Sequence, residues 1–290
     1  MNATVLEKFI SYLQFEKSGG LSKNTIDRYL LNLRHFSEQS KKNLLEITTY
    51  NEVSEMITGL RKKYGWSPST TKNAADTASV FYNWAFRMGH IQESPMRLGH
   101  EFKNRDRKQM DFFDWSEEDF KKLIYNPNNS TRDNAIFHTL RSSGVRASDL
   151  CSFTFKDADL AKRWFFVKDG KGSRDRYAPF DEETKHWLSL YIPAIQRHSN
   201  LPWLFQTADF EKLKPHTLYM FVVRKCEKIG ISGCPQKFRR SLGGELISRG
   251  ADLSVVQQIL GHKNASTTAN HYIGFKKERL QEQYSKYISH

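Results

Sequence analysis

No apolar run in this 290-residue chain approaches the roughly 18 residues that a membrane span requires, and residues 1–13 are amphipathic without a signal-type apolar block. A soluble, cytoplasmic protein is expected. Cysteine is scarce: Cys151, Cys226 and Cys234 form no Cys-x-x-Cys pair and, being three, cannot all be bridged. That excludes a disulfide framework and a cysteine zinc site, and all three are expected to be reduced. The ten histidines are scattered, with neither His-x-x-x-His nor His-Glu-x-x-His spacing, so neither metal nor cofactor is expected. Internal repeats and low-complexity segments are absent. Acidic residues are in the minority, 32 against 45 Lys+Arg, which leaves a net charge of +13.

That excess favours a polyanionic partner, nucleic acid first and an anionic membrane surface second. A disordered basic tail does not fit, because 38% of the chain is hydrophobic and 13% aromatic. At roughly 150 residues per domain, the length predicts about two folded domains. Residues 1–110 carry a net +6 and residues 111–290 a net +7. An even division suits two modules that grip one polyanion from two sides.

The first half reads as helices. Val5, Leu6, Phe9, Ile10 and Leu13 recur at helical spacing, as do Ile26, Tyr29, Leu30, Leu33 and Phe36 after a candidate N-cap at Ser22. Phe81, Trp84, Ala85 and Met88 form a third stripe in a helix opened by Ser67-Pro68-Ser69 and ended by Gly89. These stripes are expected in the core, leaving function to the polar faces. Residues 94–113 break the pattern with proline, glycine and alternating charge. The predicted organisation is therefore an N-terminal helical domain over 1–95, a linker over 96–113 and a second domain over 114–290. Lys103, Arg105, Arg107 and Lys108 of the linker are candidates to track a phosphate backbone.

The second domain is mixed. Helical patterns cover 115–124 and 135–140, and a β-hairpin is predicted from 163–167 and 176–180 around the turn Asp169-Gly170-Lys171-Gly172. Helices are predicted again over 216–228, 239–248 (closed by Gly250) and 253–260, with Asp252 as N-cap.

Four segments then carry chemistry: Ser143-Gly144-Val145-Arg146-Ala147-Ser148-Asp149-Leu150, the Lys171 turn, Gln236-Lys237-Phe238-Arg239-Arg240, and Leu260-Gly261-His262-Lys263-Asn264-Ala265-Ser266-Thr267-Thr268 running on to Tyr272. In this order and at this spacing they resemble the catalytic boxes of the tyrosine site-specific recombinases, the phage-integrase and Xer-type enzymes. Leu21-Ser22-Lys23-Asn24-Thr25 and Ser67-Pro68-Ser69-Thr70 resemble that family's N-terminal domain, so the likeness spans nearly the whole chain. It implies a mainly α fold: an all-helical, SAM-like core-binding domain and a mixed α+β catalytic domain with a small antiparallel sheet.

The residue types suit the implied reaction. Attack on a phosphodiester builds negative charge on two nonbridging oxygens, which rigid guanidinium forks stabilise; Arg146 and Arg239 are the candidates, with His262 donating a further hydrogen bond. The 5′ oxygen leaves poorly unless protonated, and Lys171 at the hairpin tip is the candidate general acid. Lys168 and Arg174 are its cationic neighbours, and Arg174 and Arg240 are further DNA contacts. Tyr272 is the nucleophile, forming a 3′-phosphotyrosyl bond that retains the energy of the phosphodiester without ATP or metal. Tyr284 and Tyr287 are rivals that lack the preceding box. Asp149 is expected to buttress the arginine or the histidine.

Two positions depart from the family pattern. Gln236 stands where a histidine is common, and an amide cannot take a proton. Tyr272 follows His262 by ten positions, one more than the family spacing. The resemblance implies cutting and rejoining of duplex DNA through a Holliday junction, by a homotetramer with a dimer on each inverted-repeat site. The polar segment 276–290, with Leu280, Tyr284 and Tyr287 on one side, is expected as a terminal helix docking on its own domain or on a neighbour. A nucleoid-associated location is implied, in chromosome-dimer resolution or mobile-element movement. Two other readings stay open: a type IB topoisomerase-like enzyme that does not exchange partners, and a non-catalytic DNA-binding protein.

Overall fold

A computed structural model describes residues 3–40, 42–99, 102, 115–168 and 175–261. The chain divides into two compact units, Met1–Lys108 and Gln109–His290.

Four helices build the first unit: α1 (Ala3–Ser11), widening into a π turn over Tyr12–Glu16, then α2 (Lys23–Gln39), α3 (Tyr50–Tyr64) and α4 (Pro68–Arg87). Local chemistry sets their starts. The Ser22 and Ser67 hydroxyls accept from the backbone N–H groups of Thr25 and Thr70, and Pro68 occupies the first helical position, where a missing N–H costs nothing. Thr49 and Glu52 cap α3 reciprocally. The apolar stripes meet as expected: Phe9, Leu13, Phe36 and Phe81 are wholly buried, and Phe9 meets Phe81 edge-on at 5.3 Å. Met88 is the exception at 49% exposed, because α4 stops at Arg87 and Gly89 turns the chain with φ 72°. Inside this core Asn32 donates to Thr77 at 2.8 Å, tying α2 to α4.

In the second unit α5 (Glu117–Ile124), α6 (Thr131–Ser143) and α7 (Ala147–Ser152) precede a small sheet. Its strands, β1 (Ala158–Asp159), β2 (Trp164–Val167) and β3 (Arg176–Pro179), pair antiparallel in sequence order. Then come α8 (Glu182–His198), α9 (Pro215–Glu227), α10 (Pro235–Ser248) and α11 (Leu253–Leu260). The centre is α6, buried from Asp133 to Leu140 and packed against α8 and α10. In the sheet, Phe165 opposes Ala178 and Val167 opposes Arg176, with Phe165, Val167 and Ala178 facing the core.

Several local expectations shift by a residue or two. β2 begins at Trp164 because Arg163 takes φ 57°, outside the strand region. Trp115 lies before α5, capped instead by Ser116, and its indole N–H donates to the Ser232 carbonyl at 2.7 Å. Asp252 precedes α11 at the capping position, yet its side chain makes no capping bond. All three cysteines are free; burial pushes the Cys151 and Cys226 thiols up to about 12, which keeps them protonated and unreactive at neutral pH. Among the described residues no helix is long and apolar enough to cross a membrane.

Candidate active site

The site begins where α6 ends. Gly144 takes the left-handed conformation, φ 58°, and turns the chain so that Arg146 becomes the residue preceding α7. A Cβ at this position would lie 2.8 Å from Leu242 of α10 and 2.9 Å from Leu260 of α11. The missing side chain therefore lets two distant helices close on this turn. Asp149, in the first turn of α7, accepts a hydrogen bond from the Arg146 backbone N–H at 3.3 Å.

The second arginine comes from α10. This helix starts at Pro235, four residues before the expected Arg239, so one rigid element carries Gln236, Arg239 and Arg240. Gln236 is exposed in the first turn, Arg240 is half-buried, and Arg239 is only 9% exposed. The Arg239 guanidinium donates through Nη1 to the Gly144 carbonyl at 2.8 Å and through Nη2 to the Leu260 carbonyl. Arg146 donates through Nη2 to the next carbonyl, that of Gly261, at 2.8 Å.

Two guanidiniums thus hold consecutive carbonyls at the C-terminal end of α11, where the helix dipole is negative and cations are favoured. Gly261 caps that end at φ 64°. Backbone anchoring sets the planes of both guanidiniums, and the Arg146 side chain stays 40% exposed.

A third guanidinium joins them. Arg176, the first residue of β3, donates from Nη2 to Asp149 Oδ2 at 2.8 Å, while the same oxygen lies 3.9 Å from Arg146 Nη1. Its side chain covers Gly261 so closely that a Cβ there would sit 2.8–2.9 Å from the Arg176 Cδ, Nε and Cζ. Two of the three guanidiniums, Arg146 and Arg176, face the Asp149 carboxylate and Arg239 lies on neighbouring carbonyls, an excess of positive charge that suits a phosphodiester gaining negative charge. Sequence reading passed over Arg176, although a signal was present: strand alternation puts it in register with inward-facing Ala178, and a core-facing arginine requires a charged partner.

The family model described as "Phage integrase family" matches residues 115–279. The chain belongs to the phage integrase family. A second family model, "Phage integrase, N-terminal SAM-like domain", matches residues 5–88. Curated relatives of this chain include the tyrosine recombinase XerC of Halalkalibacterium halodurans, 30% identical over 293 residues that cover 95% of this chain and 94% of that one. Tyrosine recombinase XerA of Pyrococcus horikoshii is 28% identical, covering 92% and 88%. Among solved structures, the Tn1549 transposon integrase in complex with transposon right end DNA superposes with a TM-score of 0.80 at 18% identity, covering 98% of each chain. XerH site-specific recombinase bound to difH substrate gives 0.71 at 20% identity, covering 99% of this chain and 84% of that one. These likenesses establish the fold: a helical SAM-like N-terminal domain and a mainly helical catalytic domain with a three-stranded antiparallel sheet.

Of the site residues expected from the sequence, the structure brings Arg146, Asp149 and Arg239 together. Lys171, His262 and Tyr272 lie outside the described residues, as do Arg174, the linker residues Lys103, Arg105, Arg107 and Lys108, and the segment 276–290.

Proposed function

We propose that this member of the phage integrase family is a site-specific tyrosine recombinase that cuts and rejoins duplex DNA. The observation that carries the reading is the anchoring of Arg146 and Arg239 on consecutive carbonyls, Gly261 and Leu260, immediately before His262. Both guanidiniums are oriented before substrate arrives, so little reorganisation accompanies charge build-up on the phosphate.

In the proposed reaction the Tyr272 oxygen attacks phosphorus in line with the 5′ oxygen. The Tyr272 O–P bond forms, the P–O5′ bond breaks, and Lys171 supplies the proton to the departing 5′ hydroxyl. Arg146, Arg239 and His262 stabilise the nonbridging oxygens. Gln236 presents an amide to the same phosphate and takes no proton, so the Tyr272 proton leaves to water or another base. The 5′ hydroxyl of a second duplex then attacks the phosphotyrosyl bond, which regenerates the tyrosine and joins two DNAs without ATP.

DNA is the partner. The finer arrangement we propose is a dimer on inverted half-sites and a tetramer on two synapsed sites, exchanging strands through a Holliday junction. The terminal segment 276–290 would link neighbouring subunits, and the protein would work on the nucleoid. The linker cations Lys103, Arg105, Arg107 and Lys108, with Arg174 and Arg240, would hold the DNA backbone.

A nicked suicide duplex, from which the cut fragment diffuses away, tests the chemistry. The wild type should accumulate a covalent protein–DNA adduct that Tyr272→Phe abolishes. An adduct that persists in Tyr272→Phe would move the nucleophile to Tyr284 or Tyr287. Joined products from two duplexes separate recombinase from topoisomerase-like action, and no adduct on a footprinted site would leave a DNA-binding protein without catalysis.

A further inference from the structure

The Arg176–Asp149 pair poses an energetic puzzle. The Arg176 side chain is 10% exposed, and its Nε is buried with no hydrogen-bond partner among the described residues. A buried donor left unfilled is costly, so this arginine is a poor device for stability alone. What it does achieve is control of a carboxylate. Asp149 Oδ2 sits 2.8 Å from Arg176 and 3.9 Å from Arg146, so the anion is committed to the former and stands off the latter. Arg146 retains 40% side-chain exposure and is fixed instead by the Gly261 carbonyl.

From this geometry we infer that Arg176 is a positioning residue for strand cleavage: it sequesters the Asp149 carboxylate so that Arg146 keeps its outward N–H donors for the scissile phosphate. Without Arg176, Asp149 lies within about 1 Å of closing a direct ion pair with Arg146, the stronger geometry for any guanidinium–carboxylate couple. Such a pair would rotate the guanidinium away from its anchored plane and neutralise the charge that the phosphate requires. Arg176 also covers Gly261, so its guanidinium supports two described segments of the site, that of Asp149 and that of Gly261.

The inference rests on the recombinase reading, and the test separates the two. Single-turnover cleavage of the suicide duplex is measured for the wild type, Arg176→Met (which fills the same space without charge), Arg176→Lys, Asp149→Asn and the Arg176→Met/Asp149→Asn double variant, with DNA affinity and melting temperature alongside. Arg176→Met should cleave about 10- to 100-fold more slowly, the range seen when a group that orients a ligating side chain is removed. Its DNA affinity should stay within about threefold of wild type, since phosphate contacts elsewhere supply most of the binding. Arg176→Lys keeps a charge-assisted bond to Asp149 and should recover most of the rate.

The distinguishing result is suppression. In the double variant the amide no longer captures Arg146, so cleavage should rise above that of Arg176→Met alone. A double variant slower than Arg176→Met, an Arg176→Met variant as fast as wild type, or Lys and Met variants that behave alike would each overturn the inference. No adduct from the wild type would instead overturn the recombinase reading, and this inference with it.

Discussion

Gly144 shows how much a single position governs here. Its carbonyl accepts from Arg239, its left-handed φ aims the chain at Arg146, and its bare Cα admits Leu242 and Leu260. Gly144→Ala adds a methyl group that must displace both leucines and holds an L-residue at φ 58°. The conformation costs about 1–2 kcal/mol and overpacking about 1–3 kcal/mol more. Denaturant unfolding should therefore show a loss of about 2–5 kcal/mol, with cleavage reduced further than stability alone explains; a loss below about 0.5 kcal/mol would mean the packing here is slack. At this scale the motifs made Arg146, Asp149 and Arg239 legible, because each stands in a recognisable local string. Arg176 was not, because its role depends on a partner 27 residues away.

Among the described elements, α6 carries a buried histidine whose burial has a consequence for pH. His138 lies on it, 2% exposed, with Trp187 stacked at 5.9 Å and Glu183 at 3.7 Å. Burial lowers its pKa from 6.5, outweighing the opposing pull of Glu183 and Asp181, while nearby His186 adds to the lowering. The unfolded chain then takes up a proton at a higher pH than the folded one. Stability is full above about pH 6.5 and is lost as pH falls through the window between the unfolded and folded pKa values. Urea titrations at about pH 7.5 and 5.5 should show a larger loss for the wild type than for His138→Gln; equal losses would exclude the histidine as the cause.

The same scale shows what patterning conveys. Helices α1, α2 and α4 and the hairpin were readable because caps, 3.6-residue stripes and turn glycines are local. Helix α8 was not, since its apolar residues Leu188, Tyr191 and Ile195 are interrupted by Pro193 and look too sparse until α6 is laid against them.

For the whole molecule the governing quantity is charge. Beyond the candidate site, the second unit has a cavity of about 500 Å³ whose lining mixes Arg132, Arg224, Lys225 and Lys228 with apolar Ile136 and Phe221. With a net +13 over the chain, binding to duplex DNA should be dominated by release of counterions. Affinity for non-cognate duplex, measured by fluorescence anisotropy, should fall by about 10³-fold or more between 50 and 200 mM salt. Replacing Lys103, Arg105, Arg107 and Lys108 together by glutamine should reduce the slope by about 0.9 for each phosphate that is no longer neutralised. An unchanged slope would remove the linker from the binding surface.

Composition, caps, stripes and the order of four boxes were enough to determine a basic chain of two parts and the family, and to propose a phosphoryl-transfer residue set. All of these are properties of charge or of residues within a few positions of one another. Tertiary structure decided how the arginines are held. Arg239 and Arg146 are anchored by carbonyls 95, 21 and 115 residues away, and Asp149 is drawn from Arg146 toward Arg176. A carbonyl offers the same acceptor whatever side chain it belongs to, so no pattern of residue types records which backbone oxygen a guanidinium will find.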